Sequence, residues 1–144
     1  MAVGILALQG AVEPHISHIE NLGQSAVKVR SAADLQEIER LILPGGESST
    51  MLNLMQRHEL MEPLREFGRR RPIWGVCAGA ILLANEVVSP KQPSLKLMAI
   101  RATRNFYGSQ LNSFKKEVSI EPLGIDVKAD FIRAPKLERL SSNV

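Results

Sequence analysis

The chain's single cysteine, Cys77, lies in PIWGVCAGAILLA, two residues after Gly75 and two before Gly79. A thiol between two glycines, where an apolar strand gives way to a helix, has the spacing of a nucleophile elbow. Small residues on both sides let strand and helix approach closely, and the tight turn holds the sulfur above the sheet edge. The start of the following helix favours an anion beside it. The N–H of Ala78 is free to serve half an oxyanion hole. The competing reading is a small apolar cysteine in a buried strand. The five-residue spacing in its strand–helix context favours the nucleophile.

A second group is Leu43-Pro44-Gly45-Gly46-Glu47-Ser48-Ser49-Thr50. A Gly-Gly pair at the carboxyl end of a strand exposes backbone N–H groups that can meet an anion or a developing oxyanion. Residues 47–50 then cap a helix; the alternative is a plain strand-to-helix turn with a good cap. Ligands of open α/β sheets sit beyond the carboxyl ends of the strands, which pairs this loop with Cys77. Arg104 and Arg133 could each hold a carboxylate in a bidentate fork, although a surface ion pair is the commoner fate of a single arginine. Arg69-Arg70-Arg71 reads as a solvated charge run. His15 and His18 share one helix face, but no further ligand cluster accompanies them, and a structural metal site normally takes four ligands. His58 falls in a polar part of a helix. The chain has no G-x-G-x-x-G and no P-loop, so no nucleotide-binding motif is present.

These groups need elements to position them. The apolar run 2–8 predicts a strand covered on both faces. Val12, Ile16, Ile19 and Leu22 then follow helical spacing up to Gly23, with Pro14 harmless in the first turn. A short strand over 25–30 leads to a helix opened by Ser31 and Asp34 and carrying Leu35 and Ile38. A strand over 40–44 precedes a helical pattern over 50–68, divided at Pro63. A fourth strand, PIWGVC, runs into a helix, AGAILLANEVV. Beyond residue 90, SLKLMAIRATR, SFKKEVSIE and KADFIRAP read as polar-alternating strands. FIRAPKLERLSSNV follows with no closing helix or further strand. The expected fold is α/β, a three-layer, mostly parallel doubly wound sheet with antiparallel additions in the last third. No internal repeat or domain boundary interrupts residues 1–144.

Composition narrows the function. Among 144 residues, 18 are Lys or Arg and 15 are Asp or Glu, a net charge of +3, which is a weak field. Aromatic residues are 4%, leaving few platforms for stacked bases, so nucleic-acid binding is not expected. One cysteine forms no internal disulfide, which suits a reducing, cytoplasmic setting. The N-terminal run has no basic leader, and no run reaches the ~18 apolar residues of a membrane span.

LALQGAVEPHI, LILPGGESSTM, GVCAGAILLA, TRNFYGSQLNSF and FIRAP together resemble the glutaminase subunits of pyridoxal 5′-phosphate synthase. These are class I (triad) glutamine amidotransferases with a flavodoxin-like fold. The resemblance runs along almost the whole chain. It implies that Cys77 attacks the side-chain amide of L-glutamine, forming a γ-glutamyl thioester and releasing ammonia. It places the oxyanion hole at backbone N–H groups near Gly46 and of Ala78. It assigns substrate contacts to Gly46, Glu47, Ser48, Arg104, Ile132 and Arg133. Ammonia would pass to a synthase subunit in a large hetero-oligomer, with Gln9 and its loop on the surface facing that partner. Neither a metal nor a cofactor is implied.

The family's triad adds a His and a Glu near the C-terminus, in an H-P-E segment. All three histidines of this chain precede Cys77. Two expectations follow: a domain lacking its C-terminal portion, or a short form that docks on the synthase without hydrolysis. Losing one member of such a unit removes most catalysis. A redox-sensing or chaperone-like α/β protein with an elbow cysteine is a third reading, against which the Gly-Gly-Glu loop and the two arginines argue.

Overall fold

The computed structural model describes residues 2–106 and 114–144; residues 107–113, within the TRNFYGSQLNSF stretch, lie outside the described residues. The main sheet holds β1 (Ala2–Leu6), β2 (Ser25–Val29), β3 (Ile38–Leu43) and β4 (Ile73–Gly75), all parallel, in the order β2-β1-β3-β4. Side chains alternate across it. Val27, Val29, Leu41 and Leu43 face a core completed by α2 (Ser48–Arg57), α3 (Met61–Arg70) and α4 (Ala78–Leu83). Lys28, which points the other way, pairs with Glu13 of α1 (Val12–Asn21). Helices thus cover both faces, as the doubly wound reading expects.

Several boundaries differ from the sequence reading. The helix expected around Leu35 is a single 3-10 turn, Asp34–Gln36, and Ile38 already opens β3. The Asp34 carboxylate accepts from the N–H groups of Arg30 and Ser31, each at 2.8 Å, so it stabilises a turn rather than a helix start. The helical stretch over 50–68 breaks at Glu59, whose φ is 55°, rather than at Pro63, which sits harmlessly in the first turn of α3. AGAILLANEVV is not one helix. α4 stops at Leu83, and β5 (Ala84–Val88) begins at once, because its Val-rich end pairs in parallel with β6 (Met98–Thr103).

β6 also pairs antiparallel with β9 (Lys136–Arg139), a strand beyond FIRAP that the sequence reading lacked. Its pattern, KLER, is too short and polar to announce itself; backbone pairing to β6 makes it a strand. β7 (Phe114–Ile120) and β8 (Ile125–Phe131) form an antiparallel hairpin. Phe114 and Phe131 stack with centroids 4.7 Å apart, while Lys115 pairs with Asp130. α4 joins the two halves of the core: Leu82 and Leu83 pack with the main sheet, and Ile81 packs with Ala84, Val87, Ile100 and Ala102. Arg69, Arg70 and Arg71 are exposed, as the charge-run reading expects, but Arg71 also has specific partners. Its guanidinium donates to the carbonyls of Ile38 and Leu35 and lies 5.5 Å above the Phe67 ring.

Candidate active site

Cys77 sits half-buried between β4 and α4, with φ 49° and ψ −103°. That is a conformation L-residues avoid, and such strain gathers at functional sites. The flanking glycines explain how it persists. A Cβ at Gly79 would lie 2.1 Å from the Leu43 carbonyl oxygen, and one at Gly75 would lie 2.6 Å from Ala80 N. Both positions accept nothing larger than hydrogen. The Leu43 carbonyl accepts from the Val76 N–H at 3.0 Å, and the Val76 carbonyl from the Gly79 N–H at 2.8 Å. The elbow is therefore tied to the end of β3, the strand that delivers the Gly-Gly-Glu loop.

That loop is braced from its other side. Gly10, with φ 101°, lets the β1–α1 turn approach so closely that a Cβ there would meet the Gly45 oxygen at 2.2 Å. The Ala11 N–H donates to that same oxygen at 2.9 Å. The Glu47 N–H donates to Gln9 Oε1 at 3.0 Å. Gln9, read from sequence as partner-facing, is thus in contact with the loop beside the thiol.

Glu47 caps α2. Its carboxylate accepts from the Ser49 hydroxyl (2.6 Å) and N–H (3.2 Å) and from the Thr50 N–H (2.7 Å) and hydroxyl (2.8 Å). Arg104 Nη2 adds a bond at 3.2 Å. Partial burial opposes the charge, but the donors from Ser49 and Thr50 outweigh it and pull the carboxyl down to about 2. The Arg104 side chain is 13% exposed, whereas Arg133 is exposed, with φ 47°.

An open cleft of about 760 Å³ collects Gln9, Gly46, Glu47, Ser48, Cys77, Arg104, Ile132 and Arg133. Cys77, Gln9 and every residue to which the resemblance assigns a substrate contact line it. Ala78 lies beneath, buried as the first residue of α4, so it offers its backbone. Ile81, Asn105 and Pro135 also line the cleft and escaped the sequence reading. Asn105 had one available signal: asparagine tolerates left-handed backbone, and its φ is 54°. His15 and His18 lie on α1 and His58 at the end of α2, and none of the three lines the cleft. Among the described residues no group of three or more His, Cys, Asp or Glu could hold a metal ion, and no helix is long and apolar enough to cross a membrane.

The arrangement offers a nucleophile, backbone donors beside it and a cationic wall. The chain is 46% identical to the pyridoxal 5′-phosphate synthase subunit PdxT of Bacillus cytotoxicus, over 99% of this chain and 73% of that protein. It is 47% identical to the protein of that name from Roseiflexus castenholzii, over 100% of this chain and 78% of that protein. A crystal structure described as a glutamine amidotransferase superposes with a TM-score of 0.88 at 38% identity, covering 97% of this chain and 75% of that one. A putative peptidase E protein from Listeria monocytogenes, at 17% identity and a TM-score of 0.57, shares the fold alone. Residues 5–144 match the SNO glutamine amidotransferase family, and the chain belongs to it.

Proposed function

We propose that the chain is the glutaminase subunit of a pyridoxal 5′-phosphate synthase, acting in the cytoplasm for vitamin B6 synthesis. The carrying observation is the cleft that gathers Cys77, the Gly46–Ser48 loop, Arg104 and Arg133. The Cys77 sulfur attacks the side-chain carbonyl carbon of L-glutamine. Backbone N–H groups near Gly46 and of Ala78 stabilise the oxyanion. Collapse breaks the C–N bond, ammonia leaves, and water hydrolyses the γ-glutamyl thioester to glutamate. Arginine receives the substrate's α-carboxylate, with Glu47, Ser48 and Ile132 completing the pocket. Ammonia passes to the synthase subunit, which docks over Gln9. Through its bond to the Glu47 N–H, Gln9 couples that surface to the oxyanion loop.

One observation supports a second reading. The proton leaving the thiol must reach the departing nitrogen, and no histidine lines the cleft. In that reading the chain binds glutamine and docks on the synthase without turnover. Ammonia release from glutamine, measured with the synthase subunit present, separates them. Turnover lost in Cys77→Ala, with synthase binding retained, supports the first reading. Glutamine binding without turnover supports the second. Undiminished turnover in Cys77→Ala sinks the assignment of the nucleophile, and absence of both binding and turnover sinks both readings.

A further inference from the structure

Ser49 and Thr50 do not line the cleft. Yet between them they supply four of the five hydrogen bonds on the Glu47 side chain, and the fifth comes from Arg104. A carboxylate held by four donors has little freedom to rotate, so the Arg104 guanidinium it accepts from inherits its orientation. Arg104 is anchored from its own backbone as well, its N–H donating to the Val88 carbonyl at 3.0 Å. The bond to Glu47 uses one of five guanidinium N–H donors, leaving geometry for a second carboxylate. Arg133, exposed and without such a brace among the described residues, is the less fixed of the two arginines.

We propose that Ser49 and Thr50 are positioning residues for glutamine: by clamping Glu47 they hold the Arg104 guanidinium where it receives the substrate's α-carboxylate. The inference rests on the glutamine-binding reading above and adds two residues that touch no substrate. It also gives Glu47 a role through its side chain rather than through direct contact alone. The depressed pKa of Glu47 fits a carboxylate that stays charged while it holds an arginine.

The test is calorimetric titration of the whole chain with two ligands, L-glutamine and L-glutaminamide, which carries a neutral amide in place of the α-carboxylate. The wild type is expected to prefer glutamine on the order of tenfold, the size of a charge-assisted hydrogen bond. Thr50→Val, which keeps the side chain's shape, and Ser49→Ala each remove one hydroxyl donor while leaving the backbone N–H donors, and should reduce that preference by weakening glutamine alone. Thr50→Ser, which keeps the hydroxyl, should restore it. Retention of the full preference in the combined Ser49→Ala, Thr50→Val protein would overturn the proposal. So would an equal loss for both ligands, which marks a purely structural role. A wild type that binds both ligands equally overturns the clamp while leaving glutamine binding intact. A wild type that binds neither removes the reading beneath it as well.

Discussion

Gly79→Ala sets two physical rules against each other. Gly79 lies in the first turn of α4 with no left-handed φ, and an alanine there should gain up to ~1 kcal/mol from helix propensity. Packing opposes it. The new Cβ would stand 2.1 Å from the Leu43 oxygen and 2.7 Å from its carbon, against an ordinary contact beginning at 3.4 Å. Relief requires about 1.3 Å of movement, the difference between 3.4 and 2.1. The obstacle is backbone whose carbonyl also holds the Val76 N–H, so it cannot swing aside. Overpacking of this kind costs ~1–3 kcal/mol, and a backbone obstacle puts it at the upper end. The net expectation is a loss of about 2 kcal/mol, or roughly 6 °C in Tm for a domain of this size. Urea unfolding followed by circular dichroism measures it. Gly45→Ala is the matched control. Its Cβ would sit 3.7 Å from the Cys77 Cβ, an ordinary contact, so its stability should stay within ~0.5 kcal/mol of the parent. A Gly79→Ala protein as stable as the parent, or more so, would refute the argument that close strand–helix approach demands this glycine.

Glu47 predicts an acid-sensitive fold. Its carboxyl is lowered from 4.5 to about 2, so its contribution is complete above about pH 4.5 and is lost as pH falls toward 2. Urea midpoints measured across that window should fall for the parent and fall less for Glu47→Gln; parallel curves would count against the pairing. His15 has the opposite chemistry with the same sign. Partial burial, then the nearby His18, lowers its pKa below 6.5, so protonation opposes folding as pH drops beneath that value. His15→Gln should therefore be relatively more stable than the parent at pH 5 than at pH 8, and an unchanged ratio would refute it. Arg71→Ala should cost about 1–3 kcal/mol by leaving the carbonyls of Ile38 and Leu35 short of a donor. Arg71→Lys should recover only part, since a compact ammonium loses the guanidinium placed over the Phe67 ring; full recovery would argue against that contact.

The legible parts of this protein are those where the physics is local. Gly75 reports a tight approach because the atoms a Cβ there would meet, in Gly79 and Ala80, are neighbours in the chain, whereas the obstacle at Gly79 is Leu43, distant in sequence. The apolar runs of β1 and β3 read as strands covered on both faces because both faces do carry helices. Where the reading failed, the deciding contact lay elsewhere in the sequence. AGAILLANEVV is apolar enough for a helix or a buried strand, and only β6 makes its second half a strand. KLER becomes β9 by pairing with the same β6. Arg71 stays exposed, but Ile38 and Leu35, distant in sequence, present carbonyls to its guanidinium.

The same division holds at the site. Residue types and spacing alone named the thiol and the Gly-Gly-Glu loop, because elbows and anion loops are short motifs with local geometry; they left the two arginines open between carboxylate forks and surface ion pairs. Residue numbers could not reveal that Glu47 reaches across to Arg104, that Gln9 grips the loop through the Glu47 N–H, or that Arg104 is held while Arg133 is exposed. Those are relations between strand ends distant in the chain. They exist only because a parallel sheet brings the carboxyl ends of β1, β3 and β4 to one edge and β6 ends beside them.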